Sequence, residues 1–134
     1  MKIVITRFVR VVYGLLLVLF GLNGFFSFLP IPEKEGFALE FMQALHHTGY
    51  ILPVVATIMT GTGISLLLNR GVVLLLLLQL PVSFNIVAFH AFHDFSGLLP
   101  AYIIFAMNMF LIVRNIKHYK LLFNSHKEIQ NESI

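Results

Sequence analysis

The feature that most constrains this chain is the stretch Gly71–Leu80, which has no polar face around the circumference of a helix. A helix in water needs such a face, so this stretch does not fit a soluble bundle. It belongs to one of four apolar runs, at residues 3–22, 49–68, 71–90 and 98–113. Twenty residues of α-helix measure about 30 Å, which is the thickness of the hydrocarbon core of a bilayer. The sequence therefore predicts an all-α integral membrane four-helix bundle.

The fourth run is the shortest, and it extends to about residue 116 if Arg114 and Lys117 reach back to the membrane interface. One domain, residues 1–123, holds all four spans, and the polar segment 124–134 is expected to be a disordered cytoplasmic tail. A cleaved signal peptide does not fit the first run, which is too long and is followed by no small-residue cleavage site.

Composition places the chain in the same class of protein. Of its 134 residues, 58% are hydrophobic and 11% are charged, where soluble domains average about 45–50% and about 25%. A chain this short buries a small share of its surface, so lipid must be the solvent for most side chains. The chain has no cysteine, which excludes disulfides, thiolate catalysis, Cys-ligated zinc and iron–sulfur clusters within it.

Basic residues are divided unequally between the two sides of the predicted bundle. The side with both chain ends carries eight of them, and the other side carries Lys34 alone. The eight are Lys2, Arg7, Arg10, Arg70, Arg114, Lys117, Lys120 and Lys127. The positive-inside rule predicts a plasma membrane protein with cytoplasmic termini. No basic face is interleaved with aromatic residues, so the high pI does not indicate nucleic-acid binding.

Two local patterns are predicted to organise the bundle. Residues 37–45 have the spacing of a short amphipathic helix, which is expected to lie along the outer interface between the first two spans. In the second span, Thr57, Gly61 and Ser65 recur every four residues. Such a ridge of small residues predicts close packing against another helix.

Polar side chains of the third span form the candidate binding site. Five of them fall within an arc of about 100° that runs from mid-membrane to the outer surface. This polar stripe consists of Gln79, Ser83, His90, His93 and Asp94. It either lines a polar cavity that opens outward or forms hydrogen bonds with neighbouring helices and leaves no void. Pro81 is expected to kink the helix near the base of the stripe.

Two asparagines complete the candidate ligand-binding set. Asn23 ends the first span and is the expected partner of His90 or Asp94 across the bundle, whereas Asn85 lies on nearly the opposite face of the third span. The set is Asn23, Gln79, Ser83, Asn85, His90 and Asp94.

Histidines at the outer ends of the spans suggest a second type of site. His46 and His47 precede the second span, and His90 and His93 lie one turn apart at the end of the third. A pair at i, i+3 can face one metal ion, with Asp94 as a further ligand. The alternative is ordinary hydrogen bonding at the membrane rim, which is favoured because nothing in the sequence sets the distance between the two pairs.

Three motifs occur in order between residues 13 and 123. They are Asn23-Gly-Phe-Phe26 after an apolar helix, Thr48-Gly-Tyr-Ile-Leu52 before a stretch of small residues, and Asn85-Ile-Val-Ala-Phe-His90 before Asp94. Together they resemble the DoxX-like family of small four-helix membrane proteins. The resemblance implies a link to respiratory or thiol-related redox systems, because some relatives are membrane subunits of thiosulfate–quinone oxidoreductases.

The resemblance also assigns residues. The polar signature of the family maps onto Asn23, Asn85, His90 and Asp94. Relatives usually carry a glutamate four residues before the glycine that matches Gly63, and this chain has Met59 there. The chain therefore lacks an acidic group that could relay protons.

Three functions compete at this stage. The first is an accessory or quinone-contacting subunit of a membrane redox system, because a quinone needs an apolar slot with one or two polar groups. The second is a non-enzymatic protein that binds or transports a small molecule, although no inverted repeat is evident. The third is a structural partner of another membrane or redox protein. No catalytic constellation is identified, and the sequence sets no oligomeric state.

Overall fold

The structure is a computed structural model that describes residues 1–132, and the described residues form six α-helices and no strand. The helices are α1 (Lys2–Phe26), α2 (Gly36–His47), α3 (Ile51–Leu68), α4 (Val72–His93), α5 (Leu98–Arg114) and α6 (Ile116–Glu132), with a 3₁₀ turn at Phe95–Gly97. Four are long and apolar enough to cross a bilayer, namely α1, α3, α4 and α5 with its preceding turn. The predicted all-α membrane bundle is confirmed.

The four spanning helices form a closed ring in which α1 contacts α3, α3 contacts α4, α4 contacts α5 and α5 returns to α1. At one end of the bundle the start of α1 lies beside the end of α5, and Arg114 Nε donates to Thr6 Oγ1 at 3.0 Å. We call this end of the bundle the terminal end. The opposite end carries α2, the connection 27–35 and the 3₁₀ turn, and we call it the loop end.

The turn between α3 and α4 is short because two of its residues adopt left-handed backbone conformations. Asn69 has φ of 55° and Gly71 has φ of 67°. Asparagine and glycine are the residues that tolerate this region best and so commonly end helices. The Arg70 backbone N–H then caps α3 by donating to the Ser65 carbonyl at 3.1 Å.

Helices α1 and α3 pack more closely than any other pair, along a seam of glycines. A Cβ atom added to Gly63 would lie 2.7 Å from the Gly14 carbonyl oxygen. One added to Gly21 would lie 2.7 Å from the Thr60 backbone nitrogen, and one added to Gly24 would lie 2.8 Å from Ala56 Cβ. Glycine is therefore required where the two backbones touch.

The small-residue ridge predicted in this helix is wrong at two of its three positions, since only Ser65 is buried. A Cβ atom on Gly61 would meet nothing within 4 Å, and Thr57 is exposed. The side of α3 that faces α1 carries Ala56, Thr60 and Gly63 instead. Small residues occur on two faces of α3, and spacing alone does not say which face has a helix beside it.

The two helices outside the ring of four lie at opposite ends of the bundle. The predicted amphipathic helix is present as α2, whose Phe41 ring stacks on Phe89 of α4 with centroids 5.4 Å apart. At the terminal end, α6 occupies most of the segment expected to be a disordered tail. Its Tyr119 is buried, and the Tyr119 hydroxyl donates to the Val73 carbonyl at 2.8 Å. Residues 133 and 134 lie outside the described residues.

Candidate functional site

A groove of about 580 Å³ lies at the loop end, between the end of α1, α2 and the first turns of α3. Its walls are mostly apolar, with Phe20, Met42 and Met59 among the lining residues. We call it the loop-end groove. Three polar side chains line it, namely Asn23, Ser27 and His46.

The groove is shaped by how the chain leaves α1. Ser27 ends α1 in a left-handed conformation, with φ of 49°, and turns the chain back. The Asn23 Oδ1 then accepts a hydrogen bond from the Leu29 backbone N–H at 2.7 Å. This bond folds the connection over the end of the helix, so that Leu29 and Ile31 become part of the groove wall. Prolines at 30 and 32 disfavour the helical conformation in the residues that precede them, Leu29 and Ile31.

Asn23 therefore does not have the partner that the sequence predicts. Its side chain bonds to its own connecting loop, and not to His90 or Asp94 across the bundle. Of the six candidate ligand-binding residues, it alone lines the loop-end groove. His46, one of the candidate metal ligands, lines the same groove from α2.

The inner part of the polar stripe lies in the interior of the bundle. Gln79 and Ser83 are fully buried, and the Ser83 hydroxyl donates to the Leu80 carbonyl at 3.0 Å. Gln79 lies near the Tyr13 hydroxyl, and this hydroxyl accepts a hydrogen bond from Asn108 Nδ2 at 3.2 Å. We call Tyr13, Gln79 and Asn108 the polar centre of the bundle. It joins α1, α4 and α5 in the middle of the membrane-spanning region.

Sequence reasoning missed two members of this centre. Asn108 is a lone amide in the middle of an apolar span, which is itself a sign of an interhelical contact. Tyr13 gave a similar signal, because it lies in the middle of the first apolar run, away from the membrane interfaces where tyrosine is usually found. Asn85, by contrast, is exposed on the outer surface of α4, where Asn85 Nδ2 donates to the Pro81 carbonyl at 2.8 Å.

The outer part of the stripe forms an ion cluster at the loop end. Lys34, from the connection between α1 and α2, pairs with the Asp94 carboxylate. His90 Nδ1 lies 3.2 Å from the same carboxylate. The His90 ring fits against Gly97, where an added Cβ would lie 2.9 Å from His90 Nε2. The cluster ties the connection 27–35 to the end of α4.

The hydrogen bond from Lys34 is the main reason why the pKa of Asp94 falls from 3.8 to about 2. A second hydrogen bond, from Ser96, acts in the same direction. The carboxylate therefore remains charged, and the link to Lys34 persists, over the whole physiological pH range.

The four candidate metal ligands are distributed among different surroundings. His90 bonds to Asp94, and His93 packs against the Phe37 ring with centroids 4.6 Å apart. His46 lines the loop-end groove, and His47 is exposed. Among the side chains that the structure describes, those of residues 1–124, no group of three or more His, Asp or Glu is placed to hold a metal ion.

Comparison with known proteins leaves the site to be interpreted from its own geometry. No family model matches the chain, and no curated protein or solved structure matches it. The loop-end groove combines apolar walls with a few convergent polar groups, which is the usual character of a small-molecule site.

Proposed function

We propose that this multi-pass membrane protein binds a lipid-soluble molecule with a polar head group in the loop-end groove. The observation that carries the proposal is the groove itself, about 580 Å³ in volume, with apolar walls and three polar side chains. A cavity of this size falls within the range of about 300–1,000 Å³ that small-molecule sites occupy.

The polar groups of the groove suit a carbonyl-bearing head group. His46 and Ser27 can each donate a hydrogen bond, because both carry an N–H or O–H. Asn23 uses its Oδ1 for the Leu29 backbone N–H, so its Nδ2 is the group that can face a ligand. Asn23 is buried whereas Ser27 and His46 are exposed, so the Asn23 donor is the one for which a missing acceptor would be costly.

We propose a quinone as the ligand class and an accessory role in a membrane redox system as the setting. The resemblance of the chain to the DoxX-like family, which implies a quinone-linked role, supports this choice. Met59 stands where that family carries glutamate and lines the groove, so this position supplies no acidic group to relay protons and the proposed role is accessory. The 134-residue chain has no cysteine and so no thiol that could reduce a bound quinone. In the proposed role a partner protein supplies the electrons.

The orientation proposed for the protein places the groove on the outer side of the plasma membrane. Seven basic residues lie at the terminal end between residues 1 and 124, and the loop end has Lys34 alone. The positive-inside rule then favours cytoplasmic termini. A cysteine introduced at Glu35 should react with a membrane-impermeant maleimide added from outside, and one at Asn124 should not.

The binding proposal is tested with purified protein and a short-tailed benzoquinone. Leu52→Trp should fill the groove and abolish binding, because Leu52 lines it. Val54→Trp, a matched change at an exposed position of the same helix, should bind like the unchanged protein.

A second pair of variants tests the head-group contact. His46→Leu should weaken binding by about 0.5–1.5 kcal/mol, or about 2- to 10-fold in Kd, through loss of one hydrogen bond. His47→Leu should leave Kd unchanged, since His47 is exposed and outside the groove. Equal effects of the two substitutions, or quinone affinity that survives Leu52→Trp, would contradict the proposed site.

The alternative functions give different results in the same experiment. A structural membrane partner would bind no quinone and retain no other small molecule after lipid extraction. A carrier of a polar solute would be insensitive to Leu52→Trp while losing affinity on substitution of the polar side chains.

A further inference from the structure

A second groove, of about 240 Å³, lies between α1 and α5 at the terminal end. Its lining consists of two basic residues, Lys2 and Arg114, and two apolar residues, Ile5 and Phe110. We call it the terminal groove. The proposed function of the loop-end groove does not involve it.

A threonine between the two basic residues orients one of them. Arg114 Nε donates to Thr6 Oγ1 at 3.0 Å, and Thr6 Oγ1 in turn donates to the Lys2 carbonyl at 2.9 Å. The bond at Nε fixes the plane of the guanidinium group and leaves its two terminal nitrogens to bind another group. A guanidinium held in this way matches the oxygens of a phosphate.

The protein supplies no carboxylate at this end over the part of the chain whose side chains are described. Between residues 1 and 124, all four acidic residues belong to the loop end, at positions 33, 35, 40 and 94. Both ion pairs found there involve Asp94. Within residues 1–124, the positive charge of the terminal end is therefore not paired with a carboxylate of the protein.

We infer that the terminal groove binds the phosphate of an anionic phospholipid. Lys2 and Arg114 contact the phosphate oxygens, while Ile5 and Phe110 contact the glycerol and the upper part of an acyl chain. Ile5 and Phe110 are both exposed on spanning helices, so lipid is what covers them. Basic residues at the end of a spanning helix lie at the level of the head groups, where such a phosphate is found.

The lipid is expected to be anionic because the terminal groove has two cationic side chains, Lys2 and Arg114. Two cations in one small groove favour a head group with net negative charge over a zwitterionic one, whose own cation would be repelled. A free phosphate ion shares the phosphate chemistry but lacks the chain that covers the apolar half of the groove. The two sources are therefore distinguishable.

The test measures the thermal stabilisation of the full chain in a nonionic detergent as lipid is titrated. Phosphatidylglycerol should stabilise the protein at lower concentration than phosphatidylcholine. Lys2→Gln and Arg114→Gln should each weaken the apparent affinity for phosphatidylglycerol by about five-fold. Arg7→Gln is the matched control, because Arg7 is an exposed basic residue of the same helix end that does not line the groove. It should change the affinity by less than two-fold.

Other outcomes overturn the inference. An Arg7→Gln effect as large as that of Arg114→Gln would mean general attraction to the basic end and no site. Equal stabilisation by phosphatidylcholine would show that the groove does not require a lipid with net negative charge. Equal stabilisation by inorganic phosphate would show that the ligand need not be a lipid. If Arg114→Gln fails to fold, the affinity of Lys2→Gln for phosphatidylglycerol decides the test. Lys2→Gln should fold, because the hydrogen bond described at Lys2 uses only its backbone carbonyl.

Discussion

The bundle is held together differently on its two sides. Between α1 and α3, glycines bring the two backbones into contact, as at Gly14 and Gly63. Around α4, side chains of neighbouring helices donate hydrogen bonds to backbone carbonyls. Tyr119 of α6 bonds to Val73 at 2.8 Å, Thr62 of α3 to Leu75 at 3.3 Å, and Asn108 of α5 to Leu76 at 3.5 Å.

These two modes of contact should respond to different kinds of substitution. Packing of bare backbones depends on volume, because any added atom forces the helices apart. Contacts to α4 depend on chemistry, because a carbonyl has a second lone pair that can accept from a neighbour without breaking the helix. The comparison therefore separates side chains that matter for their size from side chains that matter for their polar atoms.

The largest predicted effect is on the glycine seam. Gly63→Ala should lower the free energy of unfolding by about 1–3 kcal/mol, the usual cost of overpacking. The added Cβ would lie 2.7 Å from the Gly14 carbonyl oxygen and 2.8 Å from the Val18 backbone nitrogen, and backbone atoms cannot move aside easily. Thermal or chemical unfolding in detergent measures the change.

Gly61→Ala is the matched control, on the same helix with nothing within 4 Å of the added atom. It should leave stability unchanged or raise it by up to about 1 kcal/mol, because alanine favours the helix more than glycine does. Equal stability of the two variants would show that volume does not govern the seam.

The same two glycines show what the sequence could and could not predict. The number of spans, their approximate bounds and the amphipathic α2 follow from hydropathy and spacing, because lipid imposes both. The partner of each helix face does not follow, since Gly61 and Gly63 look equally suitable for close packing. The loop-end groove was missed because it depends on Asn23 bonding to its own loop at Leu29, a tertiary detail with no pattern in the sequence.

The next predicted effect concerns the polar centre. Asn108→Leu should lower stability by about 1 kcal/mol, the order of a hydrogen bond between helices in a membrane. The substitution removes the bonds of Asn108 to the Tyr13 hydroxyl and the Leu76 carbonyl. The free energy of unfolding of Asn108→Leu, measured in detergent, should be compared with that of the variant Gln79→Leu.

Gln79→Leu should leave stability unchanged or raise it. Both polar atoms of the Gln79 amide are buried without a hydrogen-bond partner among the described residues, so leucine removes a desolvation cost and loses no bond. A large loss of stability in Gln79→Leu would show that this amide has a partner in the membrane, such as a buried water, and would make the polar centre more than a packing contact.

The smallest predicted effect is at the loop end of α4, where the contact is ionic. Lys34 and Ser96 lower the pKa of Asp94 from 3.8 to about 2, so the folded state favours the charged carboxylate. Its contribution is fully present above pH 3.8 and is lost as the pH falls towards 2. An ion pair of this kind contributes about 0–1 kcal/mol. This loss is measured as a change in the midpoint of unfolding between about pH 2 and about pH 6.

The variant Asp94→Asn should abolish this part of the pH dependence, so the difference between its midpoint and that of the unchanged protein should shrink as the pH falls. Lys34→Gln should reproduce most of that behaviour, because Lys34 is the first cause of the lowered pKa. Glu40→Gln, at an exposed position of α2 outside the ion cluster, is the matched control and should keep the pH dependence that Asp94→Asn removes. If Asp94→Asn keeps the full pH dependence, the ion cluster does not stabilise the loop end. The polar contacts that stabilise α4 would then be those inside the bundle, where all the donors are neutral.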